Sequence, residues 1–443
     1  MRPRLHVASL GRWVDPALAY IALCGDRDDA FWLDSGPNAT TGHSYLGRAA
    51  EVVTEFPHGV LAFLRGLERD VDTSAAPDGF RLGWVGWLGY ELRAETMGVP
   101  VERELRYPAA AWMRVDRALA FDHATGEVLL LSLDDAQGWR EEVEAALASV
   151  EPHRDLVPPA SAERSADCAP PAVWAYSDER YLEMIAACQA AIREGDAYQL
   201  CLTTEASVDA TPDPLATYLA LRASSPTHHG ALLRAGGVSV LSASPEQFLT
   251  VSPEGVIESR PIKGTRPRGD TEAGDWRQRE RLITSEKERA ENVMIVDLMR
   301  NDIARVSKVG SVAVTSLLAV ESYAQVHQLV STVRGELAEG LDRVDVIAAC
   351  FPAGSMTGAP KRSATLILDA LEQRARGIYS GAFGYLGLDG AVDLAMVIRS
   401  IVLDARGATV GAGGGITALS VPEEELAEAK LKAAALLAVL GAR

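Results

Sequence analysis

Apolar residues along this chain follow two periods, and the changes between them mark its elements. Short alternating or continuous apolar runs predict strands at Phe31-Trp32-Leu33, Gly83–Tyr90, Ala118–Asp122 and Val128–Leu131. Glycines at 83, 86 and 89 strip side chains from one of these runs, which predicts close packing of another backbone there. A helical period predicts a helix over 178–194, with Ser177 or Asp178 as N-cap and Gly195 as its stop. A strand from Gln199 to Glu205, a helix over 214–223, and strands over 238–242, 247–251 and 256–260 follow. The charged period of 275–299 predicts one long helix. Further helices are expected near 342–350, 360–375 and 422–440, with strands over 381–388, 392–403 and 408–412 separating the last two. Strands and helices mix without regular alternation, so the expected class is α+β rather than a doubly wound sheet.

Composition divides the chain. Residues 152–172 are rich in proline, alanine and serine and lack periodicity, so 151–174 reads as a linker or surface loop between a β-rich region, 1–150, and a larger region, 175–443. The 443 residues, 48% of them hydrophobic, suffice for roughly two or three domains' worth of core. A net charge of −18 argues against nucleic acid or an anionic membrane as partner. One cleft could still take a small anion if a metal or arginine cluster reverses the field locally. Five cysteines without CxxC spacing fit a reducing cytoplasm and offer neither a zinc site nor a disulfide framework. The N-terminus lacks the apolar region of a signal peptide, and no run approaches the ~20 apolar residues of a membrane span.

Candidate chemistry centres on Lys263. Arg260, Arg266 and Arg268 flank it in sequence, and nearby positive charge weakens a lysine's hold on its proton, which leaves a nucleophilic amine; a solvated basic turn would look the same. A hairpin precedes it. A two-residue turn at Glu254-Gly255 would pair Val251 with Glu258 and set Glu246 opposite Lys263 on one face; a three-residue turn would slip the register and break that pairing. The pair is then either an acid beside an amine or an ordinary cross-strand ion pair. Glu288 and Glu291 share one helix face, and Glu425 and Glu428 another. Brought together, four carboxylates call for a hard cation such as Mg²⁺; apart, Lys287, Arg289, Lys430 and Lys432 could make them solvated faces. Gly413, Gly414 and Gly415 form a glycine-rich turn whose N–H groups could hold an anion, or a plain strand-to-helix connection. Thr357 is placed to cap a helix starting near Pro360. Arg399 lies within an apolar strand, alternating with Val397 and Ile401, and a buried arginine requires an anion.

Taken together, Ser244-Pro245-Glu246, Arg260-Pro261-Ile262-Lys263-Gly264-Thr265, Glu291-Asn292-Val293-Met294 with Arg300-Asn301-Asp302, Leu329-Val330-Ser331, Phe351-Pro352-Ala353-Gly354-Ser355 and Gly413-Gly414-Gly415 resemble the chorismate-utilising enzymes. These include the large subunits of anthranilate and aminodeoxychorismate synthases, with isochorismate and salicylate synthases as relatives. The likeness covers 175–443 in order, and Leu33-Asp34-Ser35 and Gly86–Tyr90 resemble the companion region of the first two. It implies large antiparallel or mixed sheets in a sandwich with helices outside. Anthranilate synthases carry alanine where Lys263 stands, so the resemblance implies the aminodeoxychorismate branch: Mg²⁺-dependent amination of chorismate at C4. Anthranilate synthesis and a non-catalytic regulatory member of the fold are the alternatives.

By position, Lys263 resembles the nucleophile that attacks C2, and Glu246 the acid that protonates the departing hydroxyl. Glu291 and Glu428 resemble direct Mg²⁺ ligands, with Glu288 and Glu425 beside them. Arg399 and Tyr385 resemble a clamp on the enolpyruvyl carboxylate, Thr357 a residue near the ring, and Gly413–Gly415 donors near the ring carboxylate. Gln199 stands where water-adding relatives use a lysine, which disfavours water addition. Anthranilate synthases place a histidine where Gln328 stands, and neither it nor His327 is given a role. No Gly-x-Cys-x-Gly occurs, so ammonia is expected from solution or from a separate glutamine amidotransferase subunit. The Leu33-Asp34-Ser35 likeness makes tryptophan a candidate ligand of the N-terminal region, as regulator or as structural component.

Overall fold

Strand pairing dominates the computed structural model, which describes residues 3–67, 71–149, 170–323 and 326–442. The described residues form two sheets, of twelve and ten strands. Alternate side chains of a strand face opposite sides, and the chain uses both. Phe31, Leu233 and Val240 of the larger sheet meet Val85, Trp87, Met113 and Phe383 of the smaller in one buried cluster. Their neighbours Trp32, Leu232, Leu241 and Ile401 turn outward, under the helices Pro16–Cys24, Ala136–Ala148, Pro214–Ser224 and Pro422–Val439. On the smaller sheet Trp84, Trp112, Leu249 and Leu394 lie under Glu286–Ala304 and Arg343–Cys350. The result is a sandwich of two sheets with helices on both outer faces, in line with the α+β expectation. Trp32, Trp87 and Trp112 are fully buried; a side chain of that size contributes roughly 4–6 kcal/mol at about 25 cal/mol per Å².

Both sheets draw on both ends of the chain. Ala30–Asp34 pairs with His229–Ala235 in one, and Gly83–Leu88 with Ala382–Gly387 in the other. Most of the stretch expected as a linker, 151–169, lies outside the described residues; Ala172–Trp174 is a strand paired with Gln199–Val208. The close approach expected at Gly86 is present: a Cβ there would lie 1.9 Å from the Ala111 carbonyl oxygen.

Three elements differ from the periodic reading. The helix expected over 275–299 is two, Glu272–Thr284 and Glu286–Ala304, because Ser285 adopts extended backbone and caps the second. The strand expected over 392–403 is also two. Val392–Met396 belongs to the ten-stranded sheet and Ser400–Asp404 to the twelve-stranded one, so the apolar run between them crosses from sheet to sheet. Arg399 makes that corner with left-handed backbone (φ +51°) rather than sitting inside a strand. The third is the glycine-rich segment, which is strand and not turn: Gly407–Ile416 runs antiparallel to Gln199–Val208. Cys24, Cys188, Cys201 and Cys350 are free and buried. Among the described residues no helix is long and apolar enough to cross a membrane.

Candidate active site

The hairpin after Glu246 turns through three residues, not two. Gly255 N donates to Ser252 O (2.9 Å), Ser252 N to Val256 O (2.8 Å), and Gly255 takes φ +84°. Thr250 therefore pairs with Glu258 and Val251 with Ile257, and the ladder does not set Glu246 opposite Lys263. The two residues meet by another route. The strand ends at Ser259, and after Pro261 the chain resumes as Ile262–Pro267, paired to Val326–Glu336 with Ile262 opposite Val330. Lys263 then lies close enough to Glu246 to be the strongest attraction on its carboxyl.

Glu246 is buried, and burial pushes its pKa up from 4.5; the Lys263 charge acts against that without cancelling it. The Lys263 amine makes no hydrogen bond or ion pair among the described residues. Its basic neighbours do not set the field as expected, because each has a carboxylate of its own. Arg260 pairs with Glu321, Arg266 with Glu288 at 2.6 Å, and Arg268 with both oxygens of Asp275 at 2.7 and 2.8 Å. The charges that interact with Lys263 are instead Glu246, Glu291 and Glu428.

The helices Glu286–Ala304 and Pro422–Val439 bring three of the four expected carboxylates into one electrostatic group. Burial raises the Glu291 pKa; Lys263 and Lys287 lower it, and Glu425 and Glu428 raise it further. Lys287 crosses between the helices to Glu425 at 3.0 Å, and Ser420 donates to the same oxygen at 2.7 Å. Burial would raise Glu428, but Lys432 at 2.7 Å, with Lys287 and Lys263, holds it below the usual range. Glu288 is turned to Arg266, and its second oxygen is buried without a partner among the described residues. In this arrangement no three acidic, histidine or cysteine side chains of the described residues converge closely enough to grip an ion. The donor chemistry nevertheless fits a hard divalent cation: oxygen-only, mutually repelling groups whose counter-charges are lysine amines.

The remaining expected residues separate into two places. Gln199 is buried at the start of its strand with its Oε1 unpartnered among the described residues, and a Cβ on Gly415 would meet its Nε2 at 2.1 Å. A Cβ on Gly414 would lie 3.2 Å from Glu425, and Lys432 donates to the Gly413 carbonyl at 2.9 Å. Gly414 makes room for the acidic helix, while Gly413 and Gly415 make room for the neighbouring strand, at Leu202 and Gln199; none has positive φ. Thr357 caps no helix. The helix begins at Lys361, and the Thr357 hydroxyl donates back to Ala353 O (3.2 Å), while its carbonyl accepts from Cys201 N (2.8 Å).

Arg399 lines a cavity of about 380 Å³ together with Pro245, Thr265, Gln328 and Lys432. It is exposed at that space, although neighbouring groups displace part of its hydration. Lost hydration lowers its pKa, against the pull of Tyr379 and Glu428. Tyr385 is elsewhere: it packs against Tyr45 and Phe80 and lines a second cavity of about 590 Å³ with Asp34, Ser35, His43 and Asp393. The tyrosine whose charge acts on Arg399 is Tyr379, which sequence reasoning missed, since both tyrosines lie in the same apolar stretch. Lys432 also lines the Arg399 cavity, and its spacing from Glu428 puts it on the acidic face.

With this geometry in view, comparison with known proteins gives a consistent result. The sequence pattern of chorismate binding enzymes matches residues 28–438. The chain is 40% identical to an aminodeoxychorismate synthase of Streptomyces pristinaespiralis over 99% of its own length, but spans only 65% of that relative. It is 37% identical to anthranilate synthase component 1 of Streptomyces coelicolor, over 98% of this chain and 88% of the relative. The crystal structure of anthranilate synthase component I from Streptococcus pneumoniae superposes with a TM-score of 0.73 at 25% identity, covering 99% of this chain and 93% of that one.

Burial at Glu246 carries a stability prediction. Below pH ~4.3 folded and unfolded chains both hold this proton, so the residue costs nothing. As pH rises past that value the unfolded chain ionises freely and the folded one does not, so stability is lost until the raised folded value is passed. Glu246→Gln should therefore match wild type in acid and show a higher thermal midpoint at neutral pH. Equal midpoints at both pH values would contradict the burial argument.

Proposed function

The chain belongs to the chorismate-binding enzymes, and from that premise we propose that it aminates chorismate at C4 to 4-amino-4-deoxychorismate, as an aminodeoxychorismate synthase component I. The observation that carries this reading is Lys263: an amine without a partner among the described residues, beside a buried carboxyl whose pKa burial raises. In the proposed sequence Lys263 first gives its proton to solvent, and the free amine then bonds to C2 as the ring double bonds shift. The C4–O bond breaks, and the leaving hydroxyl takes the Glu246 proton and departs as water. Ammonia then bonds to C4, the double bonds shift back, and the C2–N bond breaks to return the lysine. A proton from the incoming nitrogen restores Glu246, so chorismate and ammonia give product and water.

Gln199 supports ammonia over activated water as the nucleophile, because an amide is not a base; its unpartnered Oε1 is an acceptor for substrate or ammonia. Arg399, with Tyr379, is suited to one carboxylate of the substrate and Lys432 to another. Thr357 and the glycines at 413–415 would shape the ring's bed. Glu291, Glu425 and Glu428 would hold Mg²⁺, with Glu288 beside them, and the bound ion would offset the ring carboxylate's charge. Ammonia would come from solution or from a separate glutamine amidotransferase subunit. Anthranilate synthesis is the competing reading, supported by the Streptomyces coelicolor relative and opposed by Lys263.

The second cavity is suited to an amino acid, with tryptophan the candidate from the Leu33-Asp34-Ser35 likeness. Asp34 is already paired with Arg222 at 2.6 Å. Asp393 makes no hydrogen bond or ion pair among the described residues, and burial pushes its pKa up to about 7. An ammonium group would find its counter-charge there.

Incubation with chorismate, Mg²⁺ and ammonium should consume chorismate without anthranilate fluorescence and without pyruvate release. Fluorescent product with pyruvate would favour the competing synthase, and unconsumed chorismate a non-catalytic member. Glu428→Gln should raise the Mg²⁺ concentration needed for half-maximal rate by tenfold or more, on the order of a lost charged ligand; an unchanged requirement would remove it from the ligand set. Tryptophan binding, followed by calorimetry, should tighten as pH rises through about 7, and Asp393→Asn should weaken it and flatten that dependence.

A further inference from the structure

Arg376 belongs to none of the groups so far given a part, yet it is 2% exposed and every arm of its guanidinium is engaged. Its Nε and one terminal nitrogen grip Glu372 at 2.9 and 2.8 Å. That terminal nitrogen also donates to Cys201 O at 2.9 Å, and the other donates to Met356 O at 2.6 Å. The guanidinium lies 4.3 Å from the ring centroid of Tyr90. Glu372 in turn accepts from Thr203 N and Oγ1 at 2.9 and 3.0 Å. Glu91 holds the backbone amides of Arg376 and Gly377 at 2.8 and 2.9 Å.

The grasped atoms are those that frame the site. Met356 lies between Ser355, whose buried hydroxyl has no hydrogen-bond partner among the described residues, and Thr357. Cys201 and Thr203 stand opposite Gly415 and Gly413 in the sheet. The geometry points to Arg376 as a positioning residue that fixes the Ala353–Thr357 loop against the Gln199–Val208 strand, and so fixes the proton donor's surroundings relative to the glycine bed. This rests on the site assignment proposed above. A planar fork with five donors can serve two carbonyls and a carboxylate at once; a lysine ammonium cannot hold that geometry. Tyr90 and Glu91 tie the arrangement to the N-terminal region, which makes that region part of the catalytic framework.

Arg376→Lys keeps the charge and loses the fork; Glu91→Gln keeps the shape and loosens the grip on the Arg376 and Gly377 amides. Each is compared with wild type in steady-state chorismate turnover, beside a thermal-unfolding scan that confirms folding at the assay temperature. We expect kcat to fall about tenfold to a hundredfold, as displacements near 1 Å do, with KM for chorismate changed by less than about threefold, since Arg399 and Lys432, which would take its carboxylates, make no contact with Arg376. Wild-type kcat in folded variants that merely melt earlier would overturn the proposal, as would a raised KM with kcat intact. The identity of the wild-type product tests the amination reading separately, and the ratio of variant to wild-type kcat tests Arg376 whichever product forms.

Discussion

Glu291, Glu425 and Glu428 repel one another, and the fold holds them together regardless. They sit on two helices that pack on different sheets, and Lys287 bridges those helices where their acidic faces meet. Gathering carboxylates in one region, with Glu425 buried, is unfavourable unless positive charge intervenes. In the described residues that charge is lysine: Lys287 on Glu425 and Lys432 on Glu428. A divalent cation would do the same work with one compact centre and would free the amines for an anionic substrate. Around this constraint the other features make sense. Gly414 leaves room for Glu425 and Lys432, and Lys263 and Arg399 bring further positive charge to the carboxylate cluster.

The scaffold explains how so much unpaired polarity survives. A core between two sheets and two outer helical layers supplies the apolar burial, and Glu246, Gln199, Glu425 and Thr357 gather where strand ends, the Ala353–Thr357 loop and two helices converge. Under the proposed function an acidic protein would take a dianionic substrate, because the sign of the field there would be set locally by an amine, an arginine and a bound ion rather than by the net charge of −18.

Much of this was legible in the sequence, and the failures have physical causes. The helix Asp178–Glu194 was visible because its caps are strong: Ser177 accepts from Arg180 N and Gly195 is left-handed. The carboxylate faces were visible because helix spacing is fixed. The hairpin register was not, since Glu254-Gly255 does not specify a two-residue turn, and one residue of slip changes every pairing. Glu246 and Lys263 still approach each other, but through the break at Pro261, which no pairing rule describes. The run through Arg399 is apolar because it crosses the core between sheets, and a period cannot distinguish that from a strand. Tyr379 and Tyr385 differ only in which side of the smaller sheet they serve, and motif position alone chose the one that faces the other cavity. Arg376 was invisible because its partners, Glu91, Met356, Cys201 and Glu372, come from segments far apart in the chain.

The central claim is that the Lys263 amine becomes covalently bonded to the substrate ring. Intact-mass spectrometry of the protein mixed with chorismate and Mg²⁺, with ammonia withheld, tests it directly. The account predicts a gain of one chorismate less one water on the wild type, located at Lys263, and no gain on Lys263→Ala. The same adduct on Lys263→Ala, or none on a wild type that turns over once ammonium is added, would contradict it.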